Sequence, residues 1–237
     1  MTAAGTLRAG LPADQGRFVA LALSRFLPPE EFELWHVELL YREAASAPLR
    51  LLGMVGDECL RVEDADAGAL DRYAWVSLSL DGDDAQRLIA LCRAVAVWLA
   101  GHGGSIRLAF LYRGGKFDPI TGEHAPVEGE YGLYCSTFVL AMCKGVGVEL
   151  LDRTTWTTTR EMERDILWFL GQNRERLVER KDFDHLRRLS ADRDCVVYHP
   201  LEVMAAAFES PISHGRAKEL ADELRAEYDA LFPPVDW

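Results

Sequence analysis

The 237-residue sequence predicts an α+β fold in which a small, mostly antiparallel sheet packs on helices. Three observations carry that expectation. Period-two segments and short apolar runs cluster before residue 81, segments with helical spacing dominate after it, and turn signals separate the early runs. Taken in order, a helix is expected near Asp14 to Phe26, stopped by Pro28-Pro29. Trp35-His36-Val37-Glu38-Leu39-Leu40-Tyr41 then sets Val37, Leu39 and Tyr41 against His36, Glu38 and Leu40, the alternation of a strand. A turn through Ala44 to Pro48 leads to a second strand, Leu49 to Val55, and Gly56-Asp57 turns the chain into a short third, Cys59 to Val62. Tyr73 to Leu80 is a further strand. From Asp83 to Gly101, Leu88, Leu91, Cys92, Val95, Trp98 and Leu99 recur at helical spacing, with Asp83 as the expected N-cap and Gly101 closing the helix.

Residues 102–132 form a long connection rich in Gly and Pro (Gly103, Gly104, Gly114, Gly115, Pro119, Gly122, Pro126, Gly129), and a connection of that length is commonly functional. It delivers the chain to a buried helix over Tyr134 to Met142, ended by Gly145 and Gly147. Amphipathic helices are expected near 161–179 and 214–231. Between them lie a strand-like Cys195-Val196-Val197-Tyr198 and a short helix from Pro200 to Phe208.

Composition narrows the function. A formal charge of −12 lacks the basic face that a general nucleic-acid binder needs. No apolar run reaches the roughly 18 residues of a membrane helix, and Phe18 to Leu23 is short for a signal core, so a cytoplasmic protein is expected. The five cysteines form no C-x-x-C pair, which argues against a zinc ribbon or thioredoxin motif and favours free thiols. The acidic runs at Glu63 to Asp66 and Asp81 to Asp84 lack calcium-loop spacing, and no phosphate-binding or dinucleotide fingerprint is present, so no cofactor is expected.

Cys135 is the residue on which chemistry centres. It stands where a loop carrying Gly129 and Gly132 passes into a helix, facing the positive end of the helix dipole and its unpaired N–H groups. That position favours thiolate, and the same N–H groups can stabilise an oxyanion. A buried structural cysteine is the ordinary alternative. Cys92, Cys143 and Cys195 fall on apolar faces and read as structural. A nucleophilic thiol needs a base. His36, fixed on a strand, is the leading one; His199 is the rival, placed directly before Pro200. His102, His124, His185 and His214 lie in loops or flank surface helices.

The order of these segments resembles the circularly permuted papain-like fold, the branch of NlpC-type cysteine hydrolases that includes the YiiX-like and lecithin:retinol acyltransferase-like proteins. His36 to Tyr41 resembles its histidine strand, and Tyr73 to Leu80 with the helix from Asp83 to Gly101 resembles the strand–helix unit before its nucleophile. Phe117-Asp118 is similar to its loop motif and Tyr134-Cys135-Ser136 to its Tyr-Cys-Ser motif. Gly147 to Leu150, His199 to Val203 and Phe208 to Pro211 resemble its later segments. The resemblance runs from about residue 35 to 211. It implies a single domain, with 1–34 a helical extension, 35–211 the core and 212–237 a C-terminal helix. It implies a hydrolase that cleaves an amide, ester or thioester in a small-molecule, peptide or acyl substrate. Cys135 would be the nucleophile and His36 the base. An acyltransferase on the same dyad and a catalytically silent binding module are the alternatives. The family carries a polar third residue on the strand after the histidine. Leu51 to Gly56 is apolar here, which leaves Glu38 and Glu58 as substitutes; the family's Gly-Asp dipeptide before the histidine strand is absent from residues 10–34.

Overall fold

A computed structural model describes residues 6–13, 16–26, 34–55, 59–102, 106–157, 171, 178–180, 182–192 and 195–233. The fold is α+β. Six strands, β1 (Arg8–Ala9), β2 (Phe18–Phe26), β3 (Leu34–Arg42), β4 (Arg50–Val55), β5 (Cys59–Asp64) and β6 (Tyr73–Ser77), form one antiparallel sheet in the order β1-β6-β2-β3-β4-β5. Among the described residues, the helices are α1 (Gly82–His102), α2 (Cys135–Gly145), α3 (Phe183–Ala191), α4 (Pro200–Ala205) and α5 (His214–Leu231). A two-stranded ribbon, β7 (Lys116–Phe117) and β8 (His124–Ala125), interrupts the long connection.

Over its described residues the helix expected at Asp14 to Phe26 is instead β2, which lies inside the sheet between β6 and β3, while β1 pairs with β6 at the sheet edge. The reason is burial on both faces. Val19, Leu21 and Leu23 point into the main core while Ala20 and Ala22 point into a second cluster with Leu40, Leu51, Leu70 and Trp75. A run apolar on both faces has no period-two contrast, and its Ala/Leu content favours helix when read locally.

On β3 the alternation is kept. Trp35, Val37, Leu39 and Tyr41 enter the main core, and Leu40 enters the second cluster from the opposite face. The main core is closed by α1, α2, α4 and α5 through residues such as Leu88, Leu91, Phe138, Val139, Met204 and Leu224. Each such side chain, fully buried, stabilises the fold by roughly 1.5–3 kcal/mol. Phe138 also meets Phe117 edge-on at 5.4 Å, which ties α2 to the ribbon of the long connection.

Three smaller expectations are corrected. α1 is capped by Asp81, whose Oδ1 accepts the Asp84 N–H at 2.7 Å, two residues before Asp83. Cys195 to Tyr198 is not a strand, because the backbone N–H and C=O of Tyr198 go to the Tyr134 hydroxyl at 2.5 Å each. A helix that the sequence pattern does not separate, α3, starts after Asp182, whose side chain accepts the His185 N–H. The helix expected over 161–179 falls almost wholly outside the described residues, as does Glu58.

Candidate active site

The site begins where two strands part. β3 pairs with β2 along its whole length, from Arg42 opposite Phe18 to Leu34 opposite Phe26. Its pairing with β4 spans only Leu39 to Tyr41, opposite Leu52 to Arg50, while β4 stays with β5 as far as Val55 opposite Cys59. The first half of β3 therefore has an unzipped edge on its β4 side. Helix α2 packs against both strands there, and its first residue is Cys135.

Why α2 starts at that point is local. Thr137 Oγ1 accepts the Tyr134 N–H at 2.9 Å and donates to the Tyr134 carbonyl at 3.1 Å, closing the first turn on itself. Tyr134 itself is in extended backbone, and its hydroxyl is bonded to the Tyr198 backbone, so the helix begins at the next residue. Cys135 thus occupies the first turn, where backbone N–H groups lack intrahelical acceptors and the dipole is positive.

The half-buried Cys135 thiol lies close enough to the imidazole of His36 for each to shift the other's ionisation. The Val37 N–H, on the unzipped edge of β3, also donates to the sulfur. Burial opposes a thiolate at Cys135, but His36 and these donors outweigh it and hold the thiol pKa below its ordinary value. Burial likewise opposes charge on His36. Its contacts with Cys135 and Glu38 prevail and push its pKa up to about 10. The two shifts run in the same sense, each favouring a thiolate beside an imidazolium.

Behind the ring stands Glu38, only 1% exposed, with Oε1 3.5 Å from His36 Nε2. Its other oxygen accepts the Tyr73 hydroxyl at 2.6 Å. Burial would raise the Glu38 pKa, yet His36, Tyr73 and Arg61 together hold it below the usual carboxylate range.

His36 is the histidine that the fold brings to Cys135. His199 is the N-cap of α4, accepting the Leu201 N–H, and burial with the nearby Arg225 charge pushes its pKa down to about 4. His102 stacks on Trp98, His124 meets Phe117 at a tilt, His185 lies in α3, and His214 stacks on Trp156. Cys92 and Cys143 are buried in the main core, and burial pushes the Cys143 thiol up to about 12. Cys195 packs against the small cluster that also holds Cys135, made of Leu108, Phe110, Tyr134, Leu189 and Val197. The start of the 102–132 connection therefore does border the cysteine. It is anchored by Asp192, which accepts the N–H groups of Phe110 and Leu111 and the Tyr131 hydroxyl.

Two contributors are not evident from the sequence. Tyr73 is legible there only as a strand residue. Gly53 carries a signal, since glycine inside an apolar strand marks a close approach, and the group that approaches it is Glu38. Among the described residues no helix is long and apolar enough to cross a membrane. In comparisons with protein-family models, curated proteins and solved structures, none matches this chain.

Proposed function

We propose that the protein is a cysteine-dependent hydrolase that cleaves an amide, ester or thioester through an acyl-enzyme, on a fold of the permuted papain-like kind. The observation that carries the reading is the pairing of Cys135, first residue of α2, with His36 of β3, with a buried carboxylate behind the imidazole. The order of elements supports the fold: a histidine strand, further antiparallel strands, a long helix, then the cysteine helix.

The chemistry follows from the ion pair. The Cys135 thiolate attacks the carbonyl carbon, and the oxygen takes the negative charge beside the N–H groups of the first turn of α2. The His36 imidazolium gives its proton to the departing amine, alkoxide or thiolate as the carbonyl–leaving-group bond breaks. Neutral His36 then takes a proton from water as its oxygen adds to the acyl carbon. Collapse breaks the carbon–sulfur bond, releases the acid and restores the thiolate–imidazolium pair.

Electrophilic thiol probes with peptide mapping test the assignment. Cys135 in the unmodified chain should label fastest among the cysteines, and at a pH well below the ordinary thiol range. Replacing Cys135 by Ala should remove that label while leaving the circular dichroism spectrum unchanged, and His36→Asn should slow it at least tenfold. Equal total labelling of the Cys135→Ala protein would sink the assignment. A labelled protein that turns over no amide, ester or thioester probe would point to the silent module.

A further inference from the structure

We propose that Glu38 is the positioning residue of this site, facing His36 Nε2 with its charge from a seat that Gly53 leaves open and Tyr73 clamps. The proposal rests on the Cys135–His36 reading above and deepens it. It begins with the cost of the carboxylate. A group 1% exposed loses nearly all its hydration and must be repaid by close partners. Each oxygen of Glu38 has one: Oε2 takes the Tyr73 hydroxyl at 2.6 Å, and Oε1 faces His36 Nε2 at 3.5 Å. Tyr73 lies opposite Ser24 in the ladder between β6 and β2, so the clamp is carried by a strand paired to the neighbour of β3.

The room for this arrangement is made on β4. A Cβ built on Gly53 would lie 2.4 Å from Glu38 Cγ and 2.6 Å from Oε1, inside any tolerated contact. Any side chain at position 53 would drive the carboxylate off its seat. The space at Gly53 and the clamp at Tyr73 thus come from two strands on either side of β3, and both fit the same rotamer of Glu38.

The consequence for His36 is directional. With a carboxylate facing Nε2, the neutral ring favours its proton there, which leaves the lone pair on Nδ1. The charged groups that bear on the ring are Cys135 from α2 and Glu38 from its own strand, while Arg61 on β5 acts on Glu38. A carboxylate that merely filled space would leave the protonation of the ring untouched.

The test is nuclear magnetic resonance of the full chain with isotope-labelled histidine, in a Cys135→Ala background so that the thiolate does not mask Glu38. His36 should be protonated on Nε2 when neutral. Adding Glu38→Gln should lower the His36 pKa by at least about one unit and mix the tautomers. Gly53→Ala, which keeps the charge but displaces it, should shift both in the same direction, and Tyr73→Phe less so. If His36 keeps its pKa and tautomer in Glu38→Gln and Gly53→Ala, the proposal is overturned. Should either of those chains fail to fold, Tyr73→Phe decides by the same readout, and an unchanged ring overturns the proposal. The dyad is judged separately by probe labelling of Cys135 in the His36→Asn protein, which retains Glu38.

Discussion

Cys135, Cys143, Cys92 and Cys195 are the same side chain in four surroundings, and only the first meets an imidazole and a helix N-terminus together. Cys143 ends the same helix inside the apolar core, where burial alone suppresses its ionisation. The difference is made by neighbours such as Tyr134. Its hydroxyl serves both polar groups of the Tyr198 backbone in a buried setting, and so holds the 195–199 segment against the start of α2. Tyr134→Phe leaves that N–H and C=O without a partner. We expect a loss of about 2–3 kcal/mol, read as a lower urea midpoint at unchanged m. A midpoint within experimental error of the parent would show that water replaces the hydroxyl at no cost.

At the scale of elements, the site is a seam between β3 and β4 into which the end of α2 is fitted. Most of its parts are readable in the sequence. His36 and Glu38 stand two apart on an alternating strand, and Cys135 follows a glycine-bearing loop, so strand face and helix start are both written locally. What cannot be read depends on contacts distant in sequence. β2 looks helical because the contrast that marks a strand is lost when both faces are covered. Gly53 and Tyr73 gain meaning only through the register that sets them beside Glu38. Asp192 is similar, since its partners at Phe110, Leu111 and Tyr131 arrive from a far stretch of chain. It takes three donors and joins α3 to the connection that borders Cys135. Asp192→Ala should therefore destabilise the protein by about 2–4 kcal/mol and speed hydrogen exchange at Phe110 and Leu111. Unchanged exchange at those two amides would mean the connection is held by its apolar contacts alone.

For the molecule as a whole, the dyad contributes little to the pH dependence of stability near neutrality. In the folded chain the shifts favour moving the proton from sulfur to imidazole, whereas in the unfolded chain it stays on sulfur; either way the pair holds one proton near neutrality. The acid side is governed by other groups. His199 is held neutral, with its pKa down at about 4 against 6.5 when unfolded, and burial lowers His124 and His214 as well. Between those values the unfolded chain binds a proton that the folded chain refuses, so stability falls as the pH drops from 6.5 towards 4. His199 alone accounts for up to about 3 kcal/mol of this. His199→Asn keeps a capping oxygen without the titration and should flatten the urea midpoint over that range; an equally steep fall would place the effect elsewhere. The unzipped seam has a further meaning in terms of cooperativity. β3 is an interior strand, bonded to β2 throughout, and α2 is embedded in the main core, so neither half of the dyad sits on a part of the chain free to open by itself. Segments that fluctuate independently lose function by degrees as temperature rises, but a pair housed in the last unit to yield does not. We therefore expect probe labelling of Cys135 and the circular dichroism of the sheet to be lost in a single thermal transition.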